Sequence, residues 1–560
     1  MSITYDINSM CLRYIVPFRI NESFEQAYKK VESQREKIRK KDKVTGEKRF
    51  TGEYKNVWSR KVITMDGPES DLYGYIRNEF RFDDNIKELP EQKTGCEWIF
   101  WRSDESNSKD GQKIKKLLYF PDGIFQQGKV STQCRKILIS NVGLLLFRNS
   151  LGFFWYEIKT SQMNSRQLML FQNRIKELNH GHIFLWERSK TEPEYGFVCS
   201  EENGVKTYMR PVSLGKWIQD MLSFLDISYF AERKGAYGGM LKKSRSNMKR
   251  TSYDVVCKDM TYQDTNIKSP DKTILFTYAS LNNKNYGATI EEKQSLVYHI
   301  TNGYNASYHF SKSAVDHMKC PFDDAYWYAT QEGASYLVWS SYDNSKVFSN
   351  LIPNKIRTDY FVLYLKVLYQ SFSLLIYAER TQNNISAIDG KELTLSSSEN
   401  VTGVFREINL FLTKSMATSV SHIHHQSDFY NYLKKRLRVY EDVQSVTAGL
   451  KALEFLQHEQ QKEEELKEKE RNEEREKIRD GKIQAIMGIF AMLGISSALV
   501  DCFDFIEKFS EDGEWQSLSK NIQGIELLFI AIIGLISAVA IRFAWKAVID
   551  AFKDKNDKVR

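Results

Sequence analysis

Proline and cysteine are both scarce in this chain of 560 residues, at nine and seven. Few prolines and an aromatic share of 13% leave little room for disorder outside short loops. The cysteines (Cys11, Cys96, Cys134, Cys199, Cys257, Cys320 and Cys502) are scattered, odd in number and never spaced as CxxC. That argues against a disulfide framework and against a zinc site, so no metal ligands are assigned. It fits a reduced compartment. The chain does not open on a basic stretch followed by an apolar one, so no cleaved signal peptide is expected. There is no Walker motif, no nucleophile elbow and no HExxH, and no carboxylate pair stands in a catalytic setting. No enzyme is expected. The net charge of +8 is carried in part by basic segments beside apolar runs, so it is not evidence for direct nucleic-acid binding.

What the chain does have is two long apolar runs near its end. Residues 483–500 read IQAIMGIFAMLGISSALV, without a charge; 525–541 read IELLFIAIIGLISAVAI, with one, Glu526. A membrane span needs roughly 20 apolar residues to cross ~30 Å of hydrocarbon. Both runs reach that length if flanking residues contribute and polar ends snorkel. The connector, 501–521, is too short for a domain. It holds Asp501, Asp504, Glu507, Glu511, Asp512 and Glu514 against Lys508 and Lys520. Basic residues flank the pair: EREKIRDGK comes before it, and Arg542, Lys546, Lys553, Lys555, Lys558 and Arg560 follow. The expectation is a hairpin of two spans in the inner (cell) membrane, acidic loop outside and both termini cytoplasmic.

Ahead of the hairpin the chain reads as α+β. Residues 23–43 have the pattern of an amphipathic helix. EWIFWR (97–102) and KKLLYF (115–120) predict strands, and 135–159 predict a β-meander with turn residues at 141–143 and 148–150. Residues 167–179 and 214–225 have helical periodicity; 273–279 and 335–342 predict strands. The run 360–378 is long enough for a third span, but Lys366 and Gln370 lie at its middle. A central lysine costs about 3 kcal/mol on insertion, so a buried helix is expected. His422, His424 and His425 cluster without acids at ligand spacing and read as surface or packing histidines. From about 397 the pattern is helical, and 451–480 contain no glycine or proline. Glu463/Lys467, Glu465/Lys469 and Glu473/Lys477 are favourable i,i+4 pairs. Apolar residues are too sparse there for a dimeric coiled coil. The expected organisation is a sensor domain (1–395), a helical region with a long stalk helix (396–480), a transmembrane hairpin (481–545) and a basic tail (546–560).

Two sets of residues are candidates for function. On the first apolar run, Met487, Ala491, Gly494, Ala498 and Asp501 fall within about 80° of one another at helical spacing. Gln484 lies near the inner end and Asp504 near the mouth. Such a stripe suits a pore with an acidic ring, or close packing against the second run. In 231–250, Arg233, Lys234, Lys242, Lys243 and Arg245 accompany Gly235, Gly238 and Gly239, a composition that can present amides and cations to phosphate. The spacing matches no nucleotide-binding motif, and the plain alternative is a solvated loop. Tyr237 and Trp155 are candidate stacking partners for a base.

A large N-terminal domain, a long helix continuous with a first span, a short acidic outer loop, a second span and a basic tail together resemble the CorA-like divalent-cation channels. The resemblance covers roughly 360–560. It implies a homopentamer whose first span lines the pore, with a divalent cation as permeant ion. Those channels have a Gly-Met-Asn motif where this chain reads LVDCFDF (499–505), so their filter for hydrated magnesium is not carried over. The build is most similar to the CorA-like membrane effectors of type III CRISPR antiviral defence. For this chain that implies gating by a nucleotide second messenger, such as an S-adenosylmethionine–AMP conjugate, with no tightly bound cofactor. The alternatives are a divalent metal-ion transporter lacking that filter, and a membrane-tethered signalling protein without a pore.

Overall fold

The computed structural model describes residues 4–41, 48–60, 70–78, 95–100, 116–121, 134–160, 163–178, 185–189, 197–200, 206–212, 214–234, 268–282, 289–340 except 306 and 311, 347, 351–390, 395–511 except 417–418, and ten positions between 528 and 546. Among these, the chain divides into two compact units, Met1–Leu450 and Lys451–Arg560.

The first unit is built on a mixed sheet of 14 strands. Six of them form its middle: β1 (Ile7–Ile20), β2 (Cys134–Phe147), β3 (Leu151–Thr160), β4 (Ile274–Asn282), β5 (Ala325–Thr330) and β6 (Gly333–Ser340). They lie in the order β2-β3-β1-β4-β6-β5, antiparallel except for the parallel pair β4/β6. Both faces are covered, and β1 shows why. Leu12, Tyr14, Val16 and Phe18 enter one apolar core, while Cys11 and Ile15 enter the other. With period 2, a strand that sends apolar side chains both ways has two buried faces, and here Arg13 is the one buried charge among them.

On the first face lie α1 (Phe24–Ser33), α2 (Ser165–Lys176), α3 (Leu214–Leu222) and α4 (Ile290–Asn302). Three of the four start on a reciprocal capping box: Ser23 with Gln26, Asn164 with Gln167, and Thr289 with Glu292. The second face takes α5 (Phe361–Gly390), α6 (Leu395–Ser415), α7 (His424–Arg436) and the first turns of α8 (Val439–Glu511). Each large side chain buried there contributes about 1.5–3 kcal/mol.

Several expectations change. The helix foreseen over 23–43 stops at Ser33, and Arg35–Lys41 pairs with Lys48–Asn56 as a hairpin. The meander over 135–159 is a two-stranded hairpin, β2/β3. Residues 141–143 are strand rather than turn, next to a register shift between Ile139 and Asn141. Gly143 is there for space: it lies opposite Trp155, and a Cβ on it would overlap the indole. Gly143→Ala is therefore expected to destabilise the protein by about 1–3 kcal/mol through overpacking. A urea midpoint equal to wild type would contradict that.

By length and apolarity, one helix among the described residues could cross a membrane, Ile352–Asn383, and 78% of its apolar window is buried inside the protein. It is a core helix, and its polar residues are core groups. Gln370 donates to the Ser415 carbonyl (2.5 Å) and the Tyr430 hydroxyl (2.7 Å), and Lys366 is buried beside them. The boundary expected at 395 moves too. Ile408 and Phe411 of α6, Phe429 and Leu433 of α7, and Val446 and Leu450 of α8 belong to the same core as the sheet, so the first unit extends to Leu450.

Candidate functional site

The second unit is described mainly by the part beyond Leu450 of α8, a helix of 73 residues that starts in the first unit. At 1.5 Å per residue it is about 110 Å long. Its middle stays helical without a core because charges of opposite sign recur one turn apart. Lys467 and Glu463 stand 3.1 Å apart, worth a few tenths of a kcal/mol in such a pair. Leu466 and Ile478, its isolated apolar residues, are exposed.

Beyond Gly481 the helix changes character without breaking. Ile483, Ile486, Met487, Ile489, Phe490, Ile495 and Val500 are all exposed. So are Gln484, Ala491, Gly494, Ala498, Asp501 and Asp504. The candidate pore residues thus share one uninterrupted helix at the spacing read from the sequence. Isoleucines, methionine and phenylalanine exposed this densely along one helix are what water does not tolerate as a free surface. Of the second apolar run, Leu528, Ile532, Leu535, Val539 and Phe543 are described, and they are exposed too.

The candidate ligand residues fare differently. Arg233 and Lys234 lie on a short strand, Glu232–Lys234, paired with Lys268–Pro270. Tyr237, Lys242, Lys243 and Arg245 lie outside the described residues. Trp155 is corrected: only 2% exposed, it sits on β3 with Phe361 edge-on at 5.5 Å and the Arg13 guanidinium 5.0 Å from its ring. It offers no face to a base. The three histidines pack or face solvent. His422 sits against Tyr73, and His425 against Tyr360 and Phe322, while His424 is 92% exposed. No group of three metal-ligating side chains occurs among the described residues.

The structure adds a charge cluster beside Trp155. Arg13 of β1 donates to Glu157 of β3 from Nε (3.2 Å) and Nη2 (3.0 Å), and both side chains are buried. Arg13 Nη1 donates to the Arg357 carbonyl at 2.8 Å, and the Arg357 side chain reaches the other Glu157 oxygen at 3.4 Å. Asn141 donates to Glu157 as well (3.3 Å). Burial raises the Glu157 carboxyl, but Arg13 and Arg357 outweigh it and hold it below its usual range. Burial pushes the neighbouring Cys11 thiol up to about 11, against the pull of Arg13.

Arg357 lies on a π-helical turn, Ile356–Tyr360, that leads into α5. Two residues on, buried Asp359 accepts from Ser70 (2.8 Å) and Gln426 (3.2 Å). Lys355 pairs with Asp71 at 2.9 Å. One turn thus ties the sheet, α7 and the segment 70–78 together. A π-turn of this kind marks functional sites often enough to note. The sequence signal for the cluster was a lone charge inside an apolar stretch, as in CLRYIV and FFWYEI.

No protein-family model, no curated protein and no solved structure matches this chain.

Proposed function

We propose that the protein is a membrane-anchored, oligomeric ion channel of CorA-like build, gated by a small nucleotide second messenger in type III CRISPR antiviral defence. The observation that supports this most directly is the continuity of α8. It begins in the core of the first unit, runs through a charged stretch, and ends in an uncharged apolar run whose large apolar side chains, among the described residues, are exposed. Besides the second apolar run of the same chain, two environments cover such a run: lipid chains and other copies of itself. A pore needs both. The stripe Met487, Ala491, Gly494, Ala498 faces the axis in this reading, with Gln484 at its inner end and Asp501 and Asp504 as rings at its outer mouth, while the larger side chains meet lipid. Cations are the permeant ions, since carboxylate rings concentrate them. The anionic messenger is assigned to the basic segment that starts at Arg233 and Lys234. Its binding must favour one arrangement of the oligomer to open the pore.

The test is cation flux into liposomes holding the full-length protein. Asp501→Ala is expected to lower flux by about tenfold, the low end of what a focusing ring of charge supplies. Unchanged flux would remove the ring. Native mass spectrometry of the detergent-solubilised particle tests the assembly: a pentamer carrying a nucleotide is expected, and a monomer with nothing bound would remove the pore.

A further inference from the structure

The helices α7 and α8 meet with almost no linker. α7 ends at Arg436, and Leu437 closes it by donating its N–H to the Leu433 carbonyl at 2.9 Å. Arg438 follows, and α8 starts at Val439. The Arg438 carbonyl already accepts from the Asp442 N–H at 3.0 Å. One residue therefore ends one helix and caps the next. It does so with φ +57°, the left-handed conformation that glycine usually supplies at a helix C-terminus. Among the described residues two other non-glycine residues have positive φ, Ser150 and Asp324, and both sit in hairpin turns. At Arg438 the steric cost of a side chain falls on a helix–helix corner instead.

Something must hold the corner. Leu437 and Val439 are buried on either side of it. Across it lies Lys434, whose ammonium stands 5.2 Å from the Tyr430 ring of α7 and 4.6 Å from the Tyr440 ring of α8. A cation between two aromatic faces, one from each arm, is a clasp. Burial, and then the ammonium of Lys366 from α5, oppose the charge on Lys434. A strained residue, a clasp and a repulsive neighbour thus meet at one corner.

We infer that this corner is a latch. With Lys434 seated between Tyr430 and Tyr440, Arg438 stays left-handed and the first turns of α8 leave α7 at one angle. With Lys434 withdrawn, Arg438 relaxes to an ordinary conformation and that angle changes. The latch rests on the proposed channel for its purpose, which is to pass a change in the first unit into α8, but its existence does not depend on that reading.

The experiment places spin labels, on unnatural amino acids, at the exposed positions Asn431 and Ala448 of the full-length protein and reads their distance distribution. Wild type and Lys434→Arg, which keeps the cation, are expected to give one narrow peak. Lys434→Met should move at least a third of the population to a second distance. Adding Arg438→Asn to it should restore the single peak, because asparagine tolerates the left-handed region. Arg438→Pro, which cannot reach positive φ, should abolish the wild-type peak. A Lys434→Met protein with the wild-type distribution would overturn the latch. So would a second peak that Arg438→Asn leaves in place. None of these readouts uses ion flux, so a latch that moves in a protein that conducts nothing would sink the channel and keep the inference.

Discussion

Glu157→Gln is expected to lower the unfolding free energy of the first unit by about 3–5 kcal/mol, because it leaves Arg13 buried against an apolar strand without its counter-charge. Arg13 has nowhere to go: its guanidinium stands 4.3 Å from the Phe361 ring and 5.0 Å from the Trp155 ring, two rings that touch each other edge-on. Replacing the whole group with apolar residues would cost far less than removing its one anion. The pH dependence separates this cause from simple repacking. The folded carboxyl of Glu157 lies below its unfolded value of about 4.3. A group depressed in this way contributes its full stability above the unfolded value and loses it as pH falls through the folded one. Glutamine binds no proton, so the gap between the two proteins should be widest near pH 7 and narrow below about pH 4. Urea midpoints at pH 7 and pH 3.5 measure it. A gap that is small or constant across that range would mean the cluster is more open to water than its geometry says.

Ile489→Lys combined with Ile495→Lys should abolish membrane association while leaving the first unit as stable as before. Both side chains are exposed on α8, at 47% and 58%. In water, substitutions at such positions change stability by no more than about 0.5 kcal/mol. In the middle of a bilayer each lysine costs about 3 kcal/mol, so two cost about 6. The readout is the fraction of full-length protein that stays with membranes after alkaline extraction, together with the urea midpoint. Retention at the wild-type level would show that lipid does not surround this run, and would take the channel with it.

The elements with a strong period could be read from the residues. The helices near 167–179 and 214–225 and the strands near 97–102 and 273–279 occur within a few residues of expectation. Lys366 marked its helix as a core element, because a membrane would have rejected it and a protein interior can partner it. What could not be read was anything decided by a distant contact. β1 is apolar on both faces and has no helical or strand period, so nothing in its own residues says that it lies at the centre of the sheet. Residues 35–41 look helical by composition and are strand because 48–56 pair with them. Gly143 reads as a turn until Trp155 stands opposite. The left-handed Arg438 breaks the rule that glycine occupies such corners, and no local signal announces it. For the candidate site, the pore stripe was visible as spacing alone, and the Arg13–Glu157–Arg357 cluster joins residues from three separate parts of the chain.

The position of β1 has a consequence for how the chain is made. This strand precedes all its partners in the chain: it pairs with β3 and β4, which end at Thr160 and Asn282, and with the short strand Ile227–Tyr229. At 5–20 residues per second the wait for β4 is on the order of tens of seconds. Throughout it, a strand apolar on both faces has an open hydrogen-bonding edge. Synthesis in the cell should therefore depend on a holding chaperone at the ribosome exit, and the apolar runs near the end emerge only after that early strand has been sheltered.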